Sequence, residues 1–111
     1  MDLWVDDRRP PEAYGLRGFT WARTSEEAIA LLGTGEVRFA SLDHDLGLES
    51  GTGYDIVCWM EEHNVWPPDG VGVHSMNPVG RKRMETVIER HGYRGLGGSA
   101  FRFCHFDDLW A

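Results

Sequence analysis

The chain has 111 residues, of which 41% are hydrophobic and 26% charged, and its formal net charge is −7. This length and composition predict a single globular domain, spanning residues 1–111, with one core. The negative charge argues against binding to duplex DNA, because such binding needs a broad basic face. The 2 cysteines are too few for a disulfide framework. With no long apolar segment and no visible signal peptide, we expect a cytoplasmic protein that does not bind a membrane.

Short apolar runs alternate with helical patterns along the chain. Strands are predicted at Leu3–Val5, Phe19–Ala22, Val37–Leu42, Val71–Ser75 and Phe101–Phe106. After the second strand, Thr24 and Glu27 have the spacing of a capping box, which opens a helix that ends near Gly33. Strands that alternate with helices are typical of βαβ units. The sequence therefore predicts an α/β fold with a mainly parallel, five-stranded sheet.

Two further helices are predicted in the second half of the chain. Residues Tyr54–His63 carry an apolar stripe, and Asn77 caps a helix that has Pro78 at its first position. The buried face of this last helix is expected to contain Val79, Met84, Val87, Ile88 and His91. The segment Arg8–Gly18 is too short and too rich in proline for a regular helix.

Carboxylates cluster where two of the predicted strands end. Asp6 and Asp7 follow the first strand, and Asp43 and Asp45 follow the third. In open α/β sheets, ligands bind at the edge formed by the carboxyl ends of the strands. Four carboxylates brought together there repel one another unless a cation, a shared proton or water compensates. The sequence therefore predicts a site for Mg²⁺ or Mn²⁺, which prefer oxygen ligands.

Each of these acidic residues also has a simpler structural interpretation. Asp6 and Asp7 can form a polar turn after an edge strand, and Asp45 can cap a turn before Gly47. Asp45 would share a face with Asp43 only if the strand continued through both residues. The combination of the acidic pair with Asp43 nevertheless favours a metal site over either simpler interpretation.

The strand-end motifs together form a pattern that is similar to a known family. The motifs are Leu3-Trp4-Val5-Asp6-Asp7-Arg8-Arg9-Pro10-Pro11, Leu42-Asp43-His44-Asp45-Leu46-Gly47, Gly51-Thr52-Gly53-Tyr54-Asp55 and Val73-His74-Ser75-Met76-Asn77-Pro78-Val79-Gly80-Arg81. This pattern resembles the cyclic-phosphate-processing receiver-like domains of the response-regulator receiver superfamily. The resemblance implies a three-layer, flavodoxin-like fold, from which this chain departs because its first and last helices are expected to be short or absent. It also implies action on a cyclic phosphate in RNA ends or small nucleotides.

Signalling receivers share several of these positions. In them the acidic pair binds Mg²⁺, the aspartate of the third strand accepts a phosphoryl group, and a hydroxyl of the fourth strand contacts that group. The resemblance gives the last two roles to Asp43 and Ser75. A signalling receiver also carries a lysine on its last strand, but Lys82 is the only lysine in this chain. The resemblance therefore implies metal and phosphate binding, whereas the missing lysine argues against phosphoryl relay.

His44 and His74 each lie at the end of a predicted strand, where either one alone is most simply a surface histidine. We expect both to face the loop-side cleft rather than the core. As a pair they supply the acid and the base that the opening of a cyclic phosphodiester requires. Catalytic roles are therefore predicted for His44, His74 and Asp43.

The helix that Asn77 begins points free N–H groups toward the same edge and can bind an anion. Arg81 lies in the first turn, where a cation opposes the helix dipole, which makes contact with phosphate the better explanation. Phosphate binding is accordingly predicted for Ser75, Asn77 and Arg81, although Ser75 can also be a buried hydroxyl and Asn77 simply a cap. Arg8 and Arg9 either pair with the acidic cluster or reach phosphate, and the sequence does not separate these alternatives.

The favoured function is a metal-dependent phosphoesterase that acts on cyclic phosphate in an RNA end or a small nucleotide. One alternative is a phosphoacceptor receiver domain of a signalling system. The other is a non-catalytic module that binds a nucleotide or a partner with the same pocket.

Overall fold

The computed structural model describes residues 1–90, which form an α/β fold on a parallel sheet. The strands are β1 (Asp2–Val5), β2 (Phe19–Ala22), β3 (Phe39–Leu42) and β4 (Gly70–Val73). The helices are α1 (Ser25–Leu32), α2 (Gly53–His63) and α3 (Pro78–Arg90), and a short 3₁₀ helix spans Pro11–Tyr14. The strand order is β2-β1-β3-β4, as in the first four strands of flavodoxin-like folds.

The predicted receiver-like fold class is confirmed. The first four predicted strands are present, each with ends within two residues of the prediction. The 3₁₀ helix stands where a first receiver helix would lie, as expected from the proline-rich segment. The fifth predicted strand, Phe101–Phe106, lies outside the described residues, so the described sheet has 4 strands. No helix within residues 1–90 has the length and apolar character needed to cross a membrane.

Side-chain caps define the beginnings of α1 and α2. Thr24 Oγ1 accepts the Glu27 N–H at 3.1 Å, and Thr52 Oγ1 accepts the Asp55 N–H at 3.2 Å. Asp55 accepts the Thr52 N–H in return at 2.9 Å, which completes a capping box. Only half of the box predicted for α1 forms, because the Glu27 carboxylate accepts the N–H of Arg23 instead.

Asn77 caps α3 as predicted, since its Oδ1 accepts the Gly80 N–H at 3.0 Å. The buried residues of the helix are Gly80, Met84, Val87 and Ile88. The prediction that Val79 is buried is wrong, because its side chain is 70% exposed. Val79 lies one residue before Gly80, where the buried i, i+4, i+7, i+8 stripe begins. His91, also predicted on this face, lies outside the described residues.

The two faces of the sheet are covered differently. Alternate strand residues point to opposite faces. On one face the strands and helices share a core that includes Leu3, Val5, Leu42, Val73, Ile56, Met60 and Met84. On the other face, the register pairs Trp4 with Ser41 and Ser41 with Gly72. Trp4 is fully buried there, with its ring centroid 5.4 Å from that of Tyr14 in the 3₁₀ helix.

Gly53 begins α2 at a point where the helix passes close to the end of β3. A Cβ here would collide with the Asp43 carbonyl oxygen and lie 2.6 Å from Met84 Cε. We therefore expect Gly53→Ala to lower the free energy of unfolding by about 1–3 kcal/mol, as overpacking does in other cores. Urea unfolding measures this loss. Gly33→Ala is the control, because φ there is −65° and the nearest atom is 3.3 Å away, and equal losses would contradict the prediction.

Candidate functional site

Asp6, Asp43 and His74 form a row at the carboxyl edge of the sheet. Each comes directly after the last residue of its strand. Main-chain bonds extend the ladder to this row, since the Asp43 N–H donates to the Val5 carbonyl at 2.9 Å and the His74 N–H to the Leu42 carbonyl at 3.0 Å. All three side chains are buried, and one ligand atom from each lies within 4.8 Å of the others.

The imidazole of His74 makes contacts through both ring nitrogens and through one face of the ring. Its Nδ1 lies 2.7 Å from Ser41 Oγ and its Nε2 lies 3.2 Å from Asp6 Oδ2. The ring stacks on Trp4 with centroids 3.8 Å apart. Burial lowers the pKa of His74, although its bond to Asp6 opposes this. The neutral ring donates from Nε2 to the carboxylate, which can only accept, and Nδ1 therefore accepts from the Ser41 hydroxyl.

The position of His74 corrects one prediction. Both histidines were expected to face the cleft, but neither is among its described lining residues. His44 packs against Gly80 of α3, and His74 is 5% exposed and packs against Trp4. The cause is the strand register, which places Trp4 and Ser41 one pleat below it on the same face. Its side chain therefore supports Asp6 from beneath.

The carboxylate of Asp6 makes contacts through both oxygens. Oδ1 accepts the main-chain N–H groups of Arg8 at 2.9 Å and Arg9 at 2.8 Å. Oδ2 faces His74 Nε2 and, at 3.3 Å, Arg9 Nε. Burial alone would raise the pKa of Asp6, but the bonds from His74 and the two main-chain N–H groups outweigh it and lower the pKa to about 2. Asp6 is therefore ionised throughout the physiological range.

Asp43 has an environment that favours its protonated form. Burial, together with the negative charge of Asp6, raises the pKa of Asp43 to about 6. The His44 N–H donates to Asp43 Oδ1 at 2.8 Å, and Arg9 Nη2 lies 3.9 Å from Oδ2, so each offsets only part of this effect. The two neighbouring carboxyls are thus pushed apart in pKa, which is a common property of functional sites.

An open cleft of about 580 Å³ lies over this acidic pair. Its lining residues are Asp6, Asp7, Arg8, Arg9, Asp43, Asp45, Gly47 and Met76. All four aspartates predicted as metal ligands therefore border one space. Within residues 1–90, the close group of ligand atoms contains Asp6 and Asp43 with His74, and Asp7 and Asp45 stand outside it.

Asp45 lies beyond the end of β3 and pairs with His44. β3 ends at Leu42, and Asp45 instead forms an isolated antiparallel bridge with Thr52. His44 Nδ1 lies 2.9 Å from Asp45 Oδ1, and a carboxylate partner requires the proton to be on Nδ1. The neutral ring then keeps Nε2 as its acceptor nitrogen. A Cβ on Gly80 would collide with this ring, which therefore packs against the first turn of α3.

The residues predicted to bind phosphate do not line the cleft in the described part of the chain. Ser75 is buried, and its Oγ accepts the Asn77 N–H at 3.0 Å. Asn77 Nδ2 lies 3.4 Å from each oxygen of Asp45. Arg81 Nε lies 3.0 Å from Glu85 Oε2 one turn along α3. The sequence left open whether Arg9 pairs with the acidic cluster or reaches phosphate, and the structure places it in the cleft lining, paired with Asp6.

Two indole groups hold the turn that follows β1. Trp4 Nε1 donates to the Arg9 carbonyl at 2.7 Å, and Trp21 Nε1 donates to the Asp6 carbonyl at 2.7 Å. The Arg23 guanidinium lies over the Trp21 ring, 5.1 Å from its centroid. The turn that carries the acidic pair is therefore fixed by side chains from β1 and β2.

The strand order and the acidic cleft define a receiver-like domain with a charged site at the carboxyl edge of its sheet. The family model described as the cyclic-phosphate processing receiver domain matches residues 1–90. The chain therefore belongs to this family, and the resemblance predicted from its motifs is confirmed. A comparison with curated proteins finds no match to the chain.

We expect Asp43→Asn to stabilise the protein at neutral pH. The pKa of Asp43 is about 6 in the folded protein and 3.8 in its ordinary state. The folded protein therefore binds the carboxyl proton of Asp43 more tightly than the unfolded chain does. Stability from this group is complete below pH 3.8 and is lost as the pH rises through 6. The variant should gain roughly 1–3 kcal/mol at pH 7.5 in metal-free buffer, and the gain should almost vanish near about pH 3.5.

Urea unfolding at these two pH values measures the effect. Asp69→Asn is the matched control, because Asp69 is 56% exposed and pairs with Arg38 at the surface. It should change stability by less than about 1 kcal/mol. An Asp43→Asn variant no more stable than the wild type at pH 7.5 would show that the ionised Asp43 carboxylate does not destabilise the folded protein.

His74→Ala should destabilise the fold by about 2–4 kcal/mol, as expected for a buried ring whose loss leaves a cavity and unpaired polar groups. The vacated space lies against Trp4, and Ser41 and Asp6 lose their shared partner. Equilibrium unfolding in urea measures the loss. His44→Ala is the comparison and should cost less, because its ring is partly exposed at 12%. A His74→Ala variant of wild-type stability would show that the ring contributes nothing to packing.

Proposed function

We propose that this protein is a metal-dependent phosphoesterase that opens a cyclic phosphate in an RNA end or a small nucleotide. The observation that supports this proposal is the buried pair of Asp6 and Asp43 beneath an open cleft, in a chain of the cyclic-phosphate processing family. The pair offers carboxylate oxygens to a cation, and the cleft leaves room for a phosphate above it.

The donor set suits Mg²⁺ or Mn²⁺ as the cofactor. In our proposal Asp6 and Asp43 hold the ion, with Asp7 and Asp45 at the rim of the same cleft. Burial and the negative charge of Asp6 raise the pKa of Asp43, and a divalent cation beside it would favour its ionised form. When bound, the cation would neutralise charge on the phosphoryl oxygens. His74 acts as a positioning residue, because it bonds one oxygen of Asp6 from the buried side.

His44 is the proton-transfer group in this proposal. Its bond to Asp45 orients the ring and leaves Nε2 as a base. Water attacks phosphorus, the bond from phosphorus to one ribose oxygen breaks, and a phosphomonoester and a hydroxyl result. His44 takes the proton of the attacking water, and the leaving oxygen is protonated by a solvent water in the open cleft. His74, predicted as the second catalytic histidine, has both ring nitrogens occupied by Ser41 and Asp6.

We expect the protein to convert 2′,3′-cyclic CMP, or an RNA with a 2′,3′-cyclic end, into a phosphomonoester with Mg²⁺ or Mn²⁺, and chelator should stop the reaction. Phosphorus NMR follows the product directly. His44→Ala should lower the rate about 10²–10⁴-fold, the usual contribution of a general acid–base group. His63→Ala is the matched control, because His63 is exposed on the last turn of α2 and bonds to the Trp59 carbonyl.

The outcomes of this assay separate the alternatives. Equal rates for the His44 and His63 variants would contradict the role of His44. If no cyclic phosphate is cleaved but acetyl phosphate labels Asp43, the chain is a phosphoacceptor. If a cyclic nucleotide binds and remains intact, the cleft belongs to a non-catalytic module.

A divalent cation should also raise the melting temperature. Ligands that bind only the folded state stabilise it by mass action, by about 2.7 kcal/mol at a concentration 100 times the dissociation constant. Thermal melting with millimolar Mg²⁺ or Mn²⁺, and again after chelation, tests this expectation. Asp43→Asn should abolish the response, whereas Asp69→Asn should keep it. An unchanged melting temperature with both ions would remove the metal from the proposal.

A further inference from the structure

The guanidinium of Arg9 lies over the acidic pair. Its Nε is 3.3 Å from Asp6 Oδ2, and its Nη2 is 3.9 Å from Asp43 Oδ2. The side chain is 38% exposed and its guanidinium carbon lies 5.8 Å from the centre of the Tyr14 ring. Arg9 therefore brings a positive charge to the place between the two carboxylates.

The contacts of Asp6 show what a metal ion has to displace. Oδ1 accepts two main-chain N–H groups and Oδ2 is bonded by His74, and all of these belong to the folded framework of the turn and sheet. The remaining contact of Oδ2 is with the partly exposed side chain of Arg9. A cation held by Asp6 and Asp43 would take the place of this guanidinium.

The main chain of Arg9 is held by hydrogen bonds that do not involve its side chain. Its N–H donates to Asp6 Oδ1 at 2.8 Å, and its carbonyl accepts the Trp4 Nε1–H at 2.7 Å. A displaced guanidinium therefore remains at the cleft, within the reach of its own side chain. By contrast, Arg81, the arginine predicted to bind phosphate, is paired with Glu85.

Charge determines where the displaced guanidinium goes. Four aspartates and two arginines line the cleft, which gives it a formal charge of −2. A divalent cation cancels this charge and then repels a guanidinium beside it. An anion bound next to the cation removes the repulsion and offers Arg9 a fork of oxygen acceptors.

We propose that Arg9 occupies the cation position in the metal-free protein and becomes the phosphate-binding residue once a divalent cation displaces it. This inference rests on the proposed function for the presence of a metal and a phosphate in the cleft. It adds that the two bind cooperatively, because phosphate stabilises the displaced arginine and the metal releases it.

The test measures Mn²⁺ affinity by the electron paramagnetic resonance signal of free Mn²⁺, with and without inorganic phosphate. Arg9→Gln removes the competing charge. Arg38→Gln makes the same charge change at an exposed ion pair with Asp69 and is the control. In the absence of phosphate, Arg9→Gln should bind Mn²⁺ roughly tenfold more tightly than the wild type or the control. Phosphate should tighten Mn²⁺ binding several-fold in the wild type and in Arg38→Gln, but not in Arg9→Gln.

Arg9→Lys keeps the charge but loses the guanidinium fork, so its Mn²⁺ affinity should stay near that of the wild type while the effect of phosphate weakens. This variant carries the test if Arg9→Gln does not fold. Equal Mn²⁺ affinities for Arg9→Gln and Arg38→Gln would overturn the inference, as would a full phosphate effect in both Arg9 variants or no Mn²⁺ binding by any of them. None of these measurements involves hydrolysis, so a failure to cleave cyclic phosphate would refute the proposed reaction alone.

Discussion

The ionised carboxylate of Asp6 is the group on which the arrangement of the cleft depends. One oxygen closes the turn after β1 through two main-chain N–H groups, and the other meets His74 below and Arg9 above. A buried charge is tolerated only where hydrogen bonds and opposite charge compensate for lost water. Here that compensation also sets the tautomer of His74 and the path of the chain into the 3₁₀ helix.

The same hydrogen bonds to Asp6 leave Asp43 with fewer donors to stabilise its ionised form. Asp6 takes most of the available donors, and its charge then acts on a neighbour that has fewer of them. The result is a pair in which one carboxyl is firmly ionised and the other resists ionisation. Unfavourable charge of this kind persists in proteins where it serves binding or chemistry, at some expense of stability.

The fold was predictable because its signals are local and repeated. Four strands, three helices and their order along the chain follow from apolar runs and caps. The convergence of Asp6 and Asp43 follows from parallel strands ending at one edge. The burial of His74 was not predictable in the same way. It depends on Trp4, which is close in the sheet but far away in the sequence, and on which face of β4 is covered.

Long side chains set a second limit on prediction from sequence. Arg9 and Arg81 both stood near the expected phosphate, and their sequence positions did not show which would turn toward the acidic pair. The structure distinguishes them through partners, since Arg81 has Glu85 one turn along its helix and Arg9 has Asp6. Val79 illustrates the same limit on a helix, where an offset of one residue exchanges a buried position for an exposed one.

The two tryptophans that hold the turn after β1 also make the site optically visible. Indole emission responds to nearby charge and to changes in hydrogen bonding at Nε1, and both Trp4 and Trp21 bond directly to carbonyls of the turn. Trp4 additionally lies against the imidazole that supports Asp6. The protein therefore carries two intrinsic fluorophores bonded to the turn that borders its cleft, and a ligand that shifts this turn should change their emission without an attached dye.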